Sequence, residues 1–108
     1  MENANEIIKK ADLEIKRMEK IKINDRKFTD PHELFEINFK LSELLRSMRT
    51  VRTTIYLIIA NAKSGNTIPD IGEQLVQLNE LLNEFEIFIK ENKDKIIERR
   101  KFWQVLKW

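Results

Sequence analysis

The sequence predicts an all-α fold: an antiparallel three-helix bundle with heptad packing, whose C-terminal segment extends the third helix or forms a short fourth one. Three observations predict it. Apolar residues recur at alternating steps of three and four along nearly the whole chain. Only two glycines and two prolines interrupt 108 residues, so the elements must be few and long. The turn signals that do occur stand where the apolar period restarts. A chain of this length forms one domain, spanning residues 1–108, near the low end of what a single core can stabilise.

Helix 1 is expected at about residues 3–22, where Ile8, Ala11, Ile15 and Met18 step by three and four. Helix 2, about 31–63, carries the longest series: Leu34, Ile37, Leu41, Leu44, Met48, Val51, Ile55, Ile58 and Ala62. Its start is marked by Asp30, Pro31 and Glu33, a capping carboxylate, a first-turn proline and a reciprocal glutamate. Ser64-Gly65-Asn66 marks its end, since glycine suits a left-handed stop. Helix 3 restarts at about 68, capped by Thr67 or Asp70, and repeats through Ile71, Leu75, Leu78, Leu82, Phe85 and Ile89. It runs to about 92 and either continues or breaks before a segment at 95–107. Asn92 and Arg99 fall on seam positions there, where polar residues weaken packing or fix register. A seven-residue repeat sustained over this length predicts near-antiparallel helices with a left-handed supercoil.

Helix lengths set an accounting problem. At ~1.5 Å per residue helix 2 is roughly 50 Å long and helix 1 only about 30 Å. Reflection through a short loop at Asp25 and Arg26 sets Met18 beside Phe35 and Ile8 beside Leu45. Helix 1 would then stop near Met48 and leave the upper hairpin, Val51 to Ala62 against Ile68 to Leu78, without a third helix. Within it lies Ile55-Tyr56-Leu57-Ile58-Ile59-Ala60, apolar on nearly every side. A bare patch of that size is rare on a monomer. The expected cover is a second copy of the chain or a partner helix, with the copy favoured: through Val51, Ile55, Ile58, Ile59, Ile71 and Leu75 it would give a homodimer across a two-fold axis.

Charge is abundant, 35% of residues, yet nets only +2. Residues 64–86 hold five acids and no Lys or Arg, whereas residues 87–108 hold seven basic residues against three acids. Arg46, Arg49 and Arg52 recur every three residues on helix 2. They read as ion-pair partners of helix 3, with Glu80 and Glu84 in reach, or as a row that tracks nucleic-acid phosphates. The C-terminal segment combines Arg99, Arg100, Lys101 and Lys107 with Phe102, Trp103 and Trp108. Such a mixture suits a fold-back helix completing the bundle, an anchor for a protein partner, a single-stranded nucleic acid or, last, an anionic membrane surface.

Catalytic and cofactor chemistry find no pattern. There is no cysteine, which excludes disulfides and thiolate ligands, and a single histidine. His32, Glu33 and Glu36 share one turn but lack the spacing of a zinc or di-metal motif, and first-turn acids are favoured by the helix dipole. The N-terminal residues lack the apolar stretch of a signal peptide, and no run approaches the ~20 apolar residues of a membrane span. The sequence therefore predicts a cytoplasmic, non-enzymatic interaction protein without metal or cofactor. It self-associates through the hairpin tip and contacts another protein through its basic aromatic end. The alternative is a nucleic-acid-binding bundle using the arginine row and that end.

Overall fold

The computed structural model describes residues 4–65 and 70–98. Their order is α1 (Ala4–Lys20), β1 (Ile21–Ile23), a one-turn 3-10 helix (Asp25–Lys27), α2 (Pro31–Gly65), α3 (Gly72–Glu91) and β2 (Ile96–Glu98). Three helices account for most of the chain, and the two strands form one small sheet.

The apolar series named above forms the core. Ala11, Ile15 and Met18 of α1, Ile37, Leu44, Met48 and Ile55 of α2, and Leu78, Leu82 and Phe85 of α3 are all buried in one cluster. The three series converge because residues three and four apart share a helix face. The cluster also takes in Phe88 of α3 and both isoleucines of β1. Among the described residues no polar or charged residue is buried.

The helix starts follow local chemistry. Ahead of α2 the Asp30 carboxylate accepts from the His32 amide at 2.9 Å, and the Asp30 carbonyl accepts from the Leu34 amide. The start of α3 falls later than the sequence suggests, at Gly72, whose amide donates to the Asp70 carboxylate at 3.2 Å. Asp70 therefore bonds the first helical amide, but it is not the cap expected: the cap position is Ile71, which makes no side-chain capping bond. Thr67 lies outside the described residues.

Two corrections concern the base of the bundle. Helix 1 ends at Lys20, and the chain turns to strand at Ile21-Lys22-Ile23, where both isoleucines are buried and the lysine is exposed. The third helix neither extends nor leads into a fourth over the residues described. It ends at Glu91 with Asn92 as the cap, whose backbone leaves the helical range while its amide and side chain both donate to the Phe88 carbonyl, at 3.1 and 2.9 Å. A turn closed by Lys95 on Asn92 then leads into β2, which pairs antiparallel with β1 in the register Ile21–Glu98, Lys22–Ile97 and Ile23–Ile96. The Asn24 amide donates to the Lys95 carbonyl at 2.8 Å and extends the ladder by one bond. Asn92, a seam position by period, is therefore the stop of the helix. Residues 99–108 lie outside the described part.

Candidate interaction surfaces

The register of α1 decides which surfaces are covered. Asp12 of α1 reaches Arg52 of α2 at 3.2 Å and the Tyr56 hydroxyl at 3.0 Å, while Glu19 reaches Arg49 at 3.1 Å. Helix 1 therefore lies along the upper part of α2, about three to four helical turns, or roughly 20 Å, beyond the position a short loop would give it. The physical reason is the connection. Residues 21–30 are not a tight loop but a strand, a 3-10 turn and an extended exit at Phe28, and extended chain advances about twice as far per residue as helix.

The upper hairpin is consequently not bare, which corrects the length argument. Ile55 is fully buried. Val51, Ile58, Ile59, Ile71 and Leu75 are half-buried, and all of them but Ile58 pack against the main cluster. Of the apolar stretch around them, Tyr56 and Leu57 keep substantial exposure, and Tyr56 is tied to Asp12 through its hydroxyl.

The arginine row is paired, though not with α3. Arg52 and Arg49 bind Asp12 and Glu19 of α1, and Arg46 binds Glu43 one turn back on its own helix at 3.3 Å. Glu80 and Glu84 take no part, because α1 occupies the face of α2 that presents Arg49 and Arg52. The row is not three equivalent free cations: Arg46 is the outermost, and the side chain of Arg52 is the least exposed.

The base also presents apolar surface. Phe35 and Phe39 stand one turn apart on α2 with ring centroids 6.1 Å apart, stacked at 22°, and remain 65% and 56% exposed. Both lie off the buried face formed by Ile37, Leu44 and Met48. The sequence signal for them was available: two aromatics at i and i+4 outside the seam, in Leu34-Phe35-Glu36-Ile37-Asn38-Phe39. It is masked by the stronger seam period that runs through Leu34, Ile37 and Leu41.

On another side of α2 a groove of about 610 Å³ opens between its first turns and the last turns of α3. Phe28, Ile37, Ile87 and Phe88 supply its apolar lining, and Glu33, Glu36, Glu84 and Glu91 outnumber Lys40 and Lys95 among its charges. The Lys95 ammonium already sits over the Phe28 ring, 5.6 Å from its centroid. Glu36 pairs with His32 at 3.0 Å on an exposed helix start.

Among the described residues no group of three or more His, Asp or Glu is placed to hold a metal ion, and no helix is long and apolar enough to cross a membrane. Arg99, Arg100, Lys101, Phe102, Trp103, Lys107 and Trp108, the sequence's candidates for partner contact, lie outside the described residues. The chain matches no family model, no curated protein and no solved structure, so its function must be argued from these surfaces.

Proposed function

We propose that this chain is a non-enzymatic interaction protein that self-associates through the outward face of α2 at Phe35 and Phe39 and contacts a further protein through residues 99–108. On this reading the helices form an antiparallel bundle with heptad seams, the assembly is a homodimer, and it works in the cytoplasm. The observation that carries it is the stacked, solvent-facing Phe35–Phe39 pair. At 65% and 56% exposure these two aromatics have still to realise a little over half of the roughly 1.5–3 kcal/mol that full burial of each is worth. Aromatic rings gain further from offset or edge-to-face contact with other rings. A two-fold axis brings the same pair from a second copy onto this one, so one patch satisfies both partners.

The self-association surface thereby moves from the hairpin tip, where α1 takes up the seam, to the base of α2. Light scattering across a wide concentration range tests it. The wild type is expected to pass from monomer to dimer mass, and Phe35→Ser with Phe39→Ser to remain monomeric with unchanged helix content. Leu57→Ser, on the upper half of the same helix, should dimerise as the wild type does. A wild type that is monomeric throughout, or a double variant that dimerises normally, ends the reading.

A further inference from the structure

The groove between the N-terminal turns of α2 and the C-terminal turns of α3 joins an apolar floor to an acidic rim. Glu33, Glu84 and Glu91 stand on that rim without an ion-pair partner among the described residues. Its occupant should be aromatic and basic. The chain itself carries such a segment: residues 99–108, Arg-Arg-Lys-Phe-Trp-Gln-Val-Leu-Lys-Trp, with four basic residues, three aromatics and no acid.

The tether also fits. Lys95 lines the groove, and β2 follows it directly, ending at Glu98 beside Ile21. The segment therefore begins only three residues, about 10 Å of strand, from a groove residue. Ten further residues span up to roughly 33 Å, enough to turn back and traverse the opening. A short tether of this kind holds its segment at an effective concentration on the order of millimolar. Modest contacts then suffice for occupancy. The Lys95–Phe28 contact shows that the groove already accommodates a cation over an aromatic ring.

We infer that the α2–α3 groove is the docking site of the chain's own residues 99–108, whose aromatic and basic composition complements its apolar floor and acidic rim. Docking is intramolecular and uses the same residues as the proposed contact with a further protein, so that partner has to displace the docked segment. Docking is independent of dimerisation at Phe35 and Phe39, which lie on another face of α2.

The two tryptophans of the chain, Trp103 and Trp108, both belong to this segment, so tryptophan fluorescence of the full chain reports on it alone. Emission should be blue-shifted, and acrylamide quenching weaker, than for a free peptide of residues 99–108. Glu84→Lys with Glu91→Lys should move both toward the peptide values, lowering the docked-to-free ratio by about three- to tenfold, the range for losing two exposed ion pairs. Ile87→Ser should act in the same direction, and because Ile87 is 53% exposed it should leave the circular dichroism unchanged. The wild-type signal should not depend on protein concentration. Peptide-like emission in the wild type, or emission unmoved by both groove variants, overturns the inference. So does a signal that grows with concentration, which would assign the groove to the segment of a second copy. Light scattering on Phe35→Ser with Phe39→Ser reads the self-association separately.

Discussion

The two halves of α2 are closed by different means. From Met48 to Tyr56 the helix is sealed by another helix: Ala11, Ile15, Met48, Ile55 and Leu78 are almost fully buried in one cluster, and Asp12 and Glu19 pin the seam from outside. From Pro31 to Leu44 no third helix is present among the described residues. A sheet of three residues per strand and Phe28 stand in its place, Leu34 and Leu41 stay half-buried, and the groove opens. A helix offers a broad apolar stripe, whereas a three-residue strand offers two side chains to one face. Both halves keep exposed apolar side chains, and the base adds an open groove where the upper half has a third helix.

The sharpest way to break this comparison is to cut one core side chain in each half. Ile55→Ala should cost about 2–5 kcal/mol, the range for deleting a fully buried aliphatic whose surroundings cannot collapse. Ile37→Ala, at a residue 8% exposed that borders the groove, should cost no more than about the lower end of that range. Urea unfolding monitored by circular dichroism compares the two. Equal losses would show that the base is packed as tightly as the upper half.

A smaller effect tests what holds the base to α1. The Arg17 guanidinium donates to Glu98 of β2 at 2.7 Å, approaches Glu14 at 3.5 Å and lies 5.7 Å from the centroid of the Phe85 ring. The Glu98 hydrogen bond raises the Arg17 pKa above its ordinary value, against the opposing effect of burial. Both partners of the bridge are well exposed, so Arg17→Ala should cost only about 0.5–1 kcal/mol. The loss should concentrate in the sheet, where amide exchange at Ile96–Glu98 should accelerate by a factor of roughly two to five. Unchanged exchange there would mean that the backbone ladder holds the strand unaided.

The sequence made the core legible and left the register of α1 obscure, and the same physics explains both. Steps of three and four identify the buried face of each helix without reference to its neighbour, so Ala11, Ile15, Met48, Ile55, Leu78 and Phe85 are all recognisable beforehand. How far one helix slides along another depends on the connection. Ile21-Lys22-Ile23 continues the helical period from Met18 well enough to hide a strand. Its partner Ile96-Ile97-Glu98 is too short to announce itself, and three-residue strands become strands only by pairing. Once residues 23–30 are read as a tight loop, α1 lands on the wrong half of α2 and the bare surface is expected at the wrong end. The Phe35–Phe39 pair escaped for a related reason: surface aromatics are ordinary one at a time, and only their spacing marks these two.

The smallest effect bears most directly on that register. Tyr56 is the one tyrosine of the chain, and its hydroxyl donates to Asp12 across the α1–α2 seam. Burial raises the Tyr56 pKa above 10.0, and the hydrogen bond to Asp12 and the repulsion of its carboxylate add to the rise, with Arg52 opposing. The neutral phenol is the favoured form. Whatever this contact adds to stability is therefore complete below pH 10.0, the ordinary value, and is lost as pH rises through the elevated one. Phenolate absorbance, which the tryptophans do not complicate, should give a midpoint above 10.0 in the native chain and near 10.0 in denaturant. Asp12→Ala should lower the native midpoint, and its stability deficit against wild type should narrow as the phenol ionises. The Asp12–Arg52 bridge persists through that range because arginine keeps its charge, so the deficit should shrink without vanishing. A native midpoint at or below 10.0 would mean that Tyr56 does not donate to Asp12. The upper half would then lose one of the contacts that set α1 in place, and the contrast with the base would rest on Arg49, Arg52 and the buried aliphatics alone.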